Sequence, residues 1–386
     1  MEQRQSASRE NVSRAWPRYD KATLGFRHYW YPVLESRSLG KKPTPVKLAG
    51  EKIVLVRDRG RVYALCDRCP HRGVPLSLGR REFPGMITCA YHGWTYDLAT
   101  GELVAALTDG PDSPICGKAG VGVNTYPVED RAGLIWIYIG EAPPPPVEED
   151  IPAELLAPDA VVEPMVDLRP GDWRHAMENA IDEAHAKYLH RGTPFYFFHR
   201  IPAYQTDVRM LPSEDGKWLR RMSTPVFGPS DYPRIGKWPR HGFWRKAPRP
   251  PQGNIGSGII IVGAARLPAI FFVGHEDWQD YQMFVPVDEN HHLALQVSMK
   301  RTSGIGALLW KLRYWTYIRH IHHILLNRRE DGIIVRNMDC PPERLFRPDA
   351  AIVAWRKWCE AKARRSPAEA AAVSLSAEAS VLAENR

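Results

Sequence analysis

Two cysteines and two histidines stand close together in an order that suits metal chemistry. Cys69-x-His71 is followed, after a spacer of 17 residues (72–88), by Cys89-x-x-His92. Two thiolates and two neutral imidazoles can hold one zinc ion tetrahedrally. They can also hold a [2Fe–2S] cluster, with both cysteines on one iron and both histidines on the other. Spacing separates the two. A finger-type zinc site pairs Cys with Cys and His with His, whereas here each segment supplies one of each, as a cluster gripped between two hairpin loops needs. Gly73 and Gly93 follow the histidines where the backbone must turn tightly. Swapping two thiolates for imidazoles lowers the cluster's negative charge and raises its potential. Cys66 also precedes Cys69 but has no histidine two residues on, and it reads as an ordinary thiol at a strand end.

A second constellation lies further along. Asp182-x-x-His185-x4-His190 places Asp182 and His185 on one helix face. His185 and His190 are five apart, ~140° round a regular helix, so they converge on one ion only if the helix is distorted or ends near His190. Arg191-Gly192-Thr193-Pro194 supplies a stop there. Two imidazoles and one carboxylate make the facial triad of mononuclear non-haem iron, which leaves positions open for dioxygen. Asp331, in a late helical run, is the candidate carboxylate, with its neighbour Glu330 as rival. That frees Asp182 to orient His185 through its ring N–H, and Asn179, one turn earlier, is a candidate to shape the site.

The elements that must position these residues fall into two groups. Lys52–Asp58, Val62–Cys66 and Leu134–Ile139 are short, β-branched and aromatic, with turn residues between them. They read as strands of a small antiparallel sandwich or barrel. Pro143–Pro146 and the acidic residues after it form a stiff boundary segment. Beyond it, Trp173–Leu189 has helical spacing without internal Pro or Gly. Gly258–Val262, Ala269–Gly274 and Tyr281–Val287 read as strands, and Leu308–Arg336 and Ala351–Ala363 as helices. The fold class is therefore α+β. The expected division is a loose N-terminal arm (1–26), a cluster domain (27–142), a catalytic domain (143–365) and a disordered tail (366–386).

The chain has 386 residues, 52 Lys+Arg against 44 Asp+Glu, and six cysteines. That size buries a large core without disulfides, and the composition excludes global disorder and a small disulfide scaffold. No Lys/Arg block interleaved with aromatics suggests nucleic acid. Gly258–Gly274 and Ile305–Asn327 are too interrupted by charge and proline to span a membrane. Residues 1–14 hold no apolar secretory segment, so a cytoplasmic protein is expected. No Gly-x-Gly-x-x-Gly follows a strand, so reducing equivalents must come from separate chains.

Together the two constellations resemble the catalytic α subunits of Rieske non-haem iron ring-hydroxylating oxygenases, over roughly residues 20–365. The resemblance implies an all-β Rieske domain followed by an α+β, helix-grip-like catalytic domain. Cys69, His71, Cys89 and His92 fall on the family's cluster ligands, and His185, His190 and Asp331 on its iron ligands. Asp182 falls on the carboxylate that links an iron-ligand histidine to a cluster-ligand histidine of a neighbouring subunit, here His185 to His92. The resemblance also implies a homotrimer, a ferredoxin with an NAD(P)H-dependent reductase, O2, and dihydroxylation of an aromatic substrate. Monooxygenation or O/N-demethylation is the alternative within the family. The excess Lys/Arg then reads as a docking surface for an acidic ferredoxin near the cluster loops. Phe195–Phe198, Phe227, Trp238, Phe243, Trp244, Phe271 and Phe272 are the apolar residues expected to favour a bulky aromatic substrate.

Overall fold

The computed structural model describes residues 15–141, 143–193, 204–226, 231–234, 236–237, 261–275, 277–338, 343–366 and 369. The chain divides into two units. One comprises Leu24–Ala153 with the C-terminal residues from Ala363, and the other comprises Met1–Thr23 with Glu154–Lys362.

Over Leu24–Ala153 the described residues of the first unit are all β apart from single 3₁₀ turns. Its strands are β1 (Tyr29–Glu35), β2 (Thr44–Leu48), β3 (Glu51–Asp58), β4 (Arg61–Cys66), β5 (Met86–Thr88), β6 (Trp94–Asp97), β7 (Leu103–Ala106), β8 (Thr125–Tyr126), β9 (Val128–Arg131) and β10 (Leu134–Ile139). They form antiparallel sheets in the orders β2-β3-β4-β8, β1-β10-β9 and β5-β6-β7. The three expected strands are β3, β4 and β10. Between the sheets lies a core that includes Val54, Val56, Leu65, Leu76, Ile87 and Tyr96, and Cys69 and Cys89 belong to it. The segment after the proline run is not a free linker. Asp150 is buried, accepts from Trp30 N at 2.9 Å and pairs with Arg364 at 2.8 Å, which ties both ends of this unit together.

The second unit is built on one antiparallel sheet of seven strands in the order β11-β19-β18-β17-β16-β13-β12. These are β11 (Ala160–Pro170), β12 (Tyr204–Pro212), β13 (Leu219–Val226), β16 (Ile261–Arg266), β17 (Ile270–Gly274), β18 (Gln279–Asp288) and β19 (His291–Arg301). A two-stranded ribbon, β14 (Asp231–Tyr232) with β15 (Gly236–Lys237), stands apart. A short helix α1 (Pro17–Lys21) packs against the terminal helix and buries Tyr19, so this stretch is anchored and not the loose arm expected. Helix α2 (Trp173–Ile181) lies on the sheet and buries Trp173, Ala176, Met177 and Ile181. Burying a side chain of that size contributes on the order of 2 kcal/mol.

The helix expected over Trp173–Leu189 is broken. It stops at Ile181, Asp182 takes an extended conformation, and a second short helix α3 (Ala186–Leu189) follows. No Pro or Gly causes the break. The Asp182 carboxylate accepts from the N–H groups of Ala184 at 2.7 Å and His185 at 3.3 Å, replacing helical bonds by a local turn.

The late helical run is continuous from α4 (Gly304–Arg313) to α5 (Gly332–Asn337), but Tyr314–Asp331 between them is wound wide, as a π-helix. Such windings are rare and cluster at functional sites. Asn327 stabilises this one. Its side-chain amide donates to His322 O at 3.0 Å and to Gln296 Oε1 of β19 at 3.0 Å, and its carbonyl accepts from Arg169 at 2.9 Å. Helix α6 (Ala350–Lys362) closes the unit, with Trp355 and Cys359 fully buried. Among the described residues no helix is long and apolar enough to cross a membrane.

Candidate metal centres

The two loops expected to grip a cluster share one backbone design. Cys69 N donates to Val74 O at 2.9 Å, and Gly73 N donates back to Cys69 O at 2.8 Å. Cys89 N donates to Trp94 O at 2.8 Å, and Gly93 N to Cys89 O at 3.2 Å. Each loop thus closes on its own cysteine through a glycine four residues later. Both glycines need the left-handed region, with φ of 76° and 66°. The Cys89 loop caps the β5–β6 hairpin. The Cys69 loop leaves β4 and is pinned by the buried Asp67 carboxylate, which accepts from Ser77 N at 2.6 Å and Ser77 Oγ at 2.7 Å.

The thiols point inward and the imidazoles outward. Cys69 and Cys89 are buried, His92 is half-buried and His71 exposed. The His71 and His92 rings lie 4.5 Å apart, and His71 stacks on Trp94 at 4.9 Å. Tyr96 Oη lies 3.2 Å from Cys69 Sγ. Burial pushes the Cys89 thiol up, and the neighbouring Cys69 adds to it. Nδ1 of His92 is buried with no hydrogen-bond partner. Among the described residues the four donors do not converge on one point as three other residues of this chain do. Cys66 sits half-buried at the end of β4 and Cys359 in the core; both are free thiols, and Cys340 lies outside the described residues.

The three that converge are His185, His190 and Asp331, whose ligand atoms all lie within 4.8 Å of one another. Asp331 Oδ1 is 3.5 Å from His185 Nε2 and 3.3 Å from His190 Nε2. The break at Asp182 and the 3₁₀ turn at His190–Gly192 turn both rings toward the carboxylate. Burial raises the Asp331 carboxyl, but the two imidazoles outweigh it and hold it well below the ordinary carboxylate range. Burial lowers His185, yet Asp182 and Asp331 together push it up to about 10. Asp331 Oδ1 nevertheless has no partner of hydrogen-bond geometry. A cation held between the three would take the place of that proton, so the residues present fit a mononuclear metal.

Glu330 is not a third ligand. It turns the other way and meets His190 Nδ1 at 2.5 Å, leaving Nε2 to face Asp331. Asp182 Oδ2 stands 3.6 Å from His185 Nδ1, and its hydrogen-bonded neighbours hold its carboxyl below the usual range despite burial. Asn179 is buried and lines a cavity that Asp331 also lines. That cavity has a polar wall of Arg169, Gln282, His292, Gln296 and Asn327, none of which the motifs indicated. Of the aromatic residues expected to line a pocket, those at 195–198, 227, 238, 243 and 244 lie outside the described residues. Phe271 and Phe272 belong to β17. Phe272 packs in an aromatic cluster with Trp218 and Tyr281, and neither lines this cavity.

A family profile for the Rieske [2Fe–2S] domain matches residues 29–127, and one for homotrimeric ring hydroxylases matches 138–201. The terminal oxygenase component of carbazole 1,9a-dioxygenase from Sphingomonas sp is 34% identical over 90% of this chain and 94% of its own length. The chain belongs to the Rieske non-haem iron ring-hydroxylating oxygenases. Solved relatives of this oxygenase include the terminal oxygenase of carbazole 1,9a-dioxygenase from Novosphingobium sp. KA1, with a TM-score of 0.76 at 28% identity over 93% of this chain and 98% of that one. The reduced complex between oxygenase and ferredoxin of carbazole 1,9a-dioxygenase matches with a TM-score of 0.75 at 26% identity, over 92% and 96%. The oxygenase is an oxidoreductase that carries a Rieske [2Fe–2S] cluster and a mononuclear iron.

Proposed function

We propose that this chain is a terminal oxygenase that dihydroxylates an aromatic substrate with O2, working as a cytoplasmic homotrimer. Its electrons come from a ferredoxin served by an NAD(P)H-dependent reductase. The observation that carries the reading is the convergence of His185, His190 and Asp331 on one point, from a broken helix and a wide one, beside a cavity. When bound, the cluster stores one electron at a time and the mononuclear iron activates O2 next to the substrate.

The chain's own residues do the rest. Cys69 and Cys89 would hold the cluster from the buried side, and His71 and His92 from the more exposed side. Arg68 and Arg72 are exposed on either side of Cys69 and His71, placed to meet an acidic ferredoxin. His185, His190 and Asp331 would hold the iron. Glu330 accepts the Nδ1 proton of His190 and so keeps Nε2 free for the metal. Asp182 fixes the turn that delivers His185, and the proposed role of its carboxylate is to couple His185 to the cluster of a neighbouring subunit.

Asp182→Asn tests the coupling. It keeps an oxygen to accept from Ala184 N, so both metals should remain bound while product forms about 10–100-fold more slowly. Full turnover in this variant refutes the coupling. The reaction class is read with ¹⁸O2 and a panel of arenes. Two labelled oxygens in one product mark dihydroxylation, and one labelled oxygen or a lost methyl group overturns it.

A further inference from the structure

The cavity beside Asp331 departs from the apolar pocket that the aromatic residues suggested, and its chemistry limits the substrate. Arg169, at the end of β11, is buried. Its terminal nitrogens are taken by Asn327 O at 2.9 Å and Asp167 at 3.3 Å, but its Nε–H has no partner. Gln296, on β19, is fully buried. Its oxygen accepts from Asn327 at 3.0 Å, and its Nε2 has no partner. Both residues line the cavity that Asp331 also lines.

Unanswered buried donors each cost about 1–3 kcal/mol, so two of them on a shared cavity call for an acceptor. Charge narrows the choice. Asp167 lies 3.3 Å from Arg169 and 3.7 Å from Arg328, and one carboxylate cannot neutralise two guanidiniums. Size narrows it again. The space open to water is about 20 Å³, against roughly 10–15 Å³ for one water. Among the described residues that is room for an oxygen-sized group.

Resting on the oxygenase reading above, we infer that this cavity is a socket for one oxygen of an anionic group on the substrate, so that the preferred substrates are aromatic carboxylates. Arg169 Nε and Gln296 Nε2 donate to that oxygen and fix the ring's orientation relative to Asp331. The alternative occupant is a resident water.

The test uses the full, iron-loaded chain under anaerobic conditions. Binding of 2-naphthoate and of 2-methylnaphthalene, which match in shape, is measured by calorimetry. The carboxylate should bind about 10–100-fold tighter, as a charge-assisted pair of hydrogen bonds implies. Gln296→Leu should cut that ratio about tenfold, and Arg169→Met should bring it to about one. Gln296→Leu stands by itself if the arginine variant fails to fold. Equal binding of the two arenes, or a ratio that Gln296→Leu leaves unchanged, overturns the inference and leaves the socket to water. Turnover of both arenes is followed separately with a ferredoxin and reductase. A carboxylate preference in binding with oxidation of neither arene upholds the socket and sinks the oxygenase reading instead.

Discussion

Replacing Glu330 with alanine should loosen the mononuclear iron and leave the Rieske cluster untouched. Glu330 Oε2 meets His190 Nδ1 at 2.5 Å, with the imidazole 6% and the carboxylate 25% exposed. A hydrogen bond to a charged acceptor in such a place stabilises its arrangement by about 1.5–3 kcal/mol. The alanine variant loses that, and the His190 ring becomes free to present either nitrogen. A loss of ~2 kcal/mol corresponds to roughly 30-fold weaker iron binding, within the 10–100-fold usual for residues that orient metal ligands. Glu330→Gln keeps an acceptor without its charge and should cost about half as much, near fivefold. The assay is anaerobic competition with a graded series of Fe(II) chelators. The cluster's visible absorbance in the same chain serves as an internal standard for folding and concentration. Retention of iron by Glu330→Ala as tight as in the parent would refute the orienting role. A parallel loss of cluster absorbance would show that the substitution acts by unfolding.

Other outcomes can be stated as directly. Burial pushes His292 down to about 4, against the Gly171 carbonyl that holds its Nδ1. The unfolded chain, with an ordinary histidine near 6.5, therefore binds the proton first. Stability attributable to this residue is intact above about pH 6.5 and falls as pH drops toward 4, by about 2–3 kcal/mol at pH 4.5. Urea unfolding of His292→Gln should show a correspondingly flatter acid limb. Arg356 makes a two-pronged pair with buried Glu178 at 2.7 and 2.8 Å, and Tyr19 donates to the same carboxylate at 2.7 Å. Arg356→Met strands that charge and should cost about 3–5 kcal/mol in chemical denaturation, and Glu178→Gln in the same chain should recover part of it. Gly93→Ala puts a methyl 2.9 Å from Leu107 Cβ at a φ of 66°, whereas Gly73→Ala at 76° meets only the flexible Arg68 side chain at 3.4 Å. Cluster absorbance per chain should drop more in the first than in the second, and the reverse order would count against the loop design.

The metal-facing residues were legible because their types are rare and their spacing is short. Cys69, His71, Cys89 and His92 sit on two tight turns, and local sequence encodes such turns. The iron side was only partly legible. Asp331 and Glu330 are adjacent and alike, and only the winding of the helix decides which one faces His185. The break at Asp182 carries no proline or glycine, because the carboxylate makes the turn itself. Strands β11 and β19 were not foreseen, although they pair along their full lengths. Their buried faces carry Arg169, His292, Gln296 and Ser298, so an apolar alternation is absent where the polar wall of the cavity is built. The residues that hold a site's chemistry are thus easier to read than those that line its pocket.

The wide winding of Tyr314–Asp331 has a consequence for inheritance. A helix bonded over five residues can surrender one residue and close as an ordinary turn, or accept one and widen elsewhere. Single-residue insertions and deletions between the sheet-facing His323 and the paired acids at 330 and 331 can therefore be absorbed within the helix, without dragging the carboxylate off its histidines. A change of length there would reshape the cavity wall around Asn327 while leaving His185, His190 and Asp331 in place.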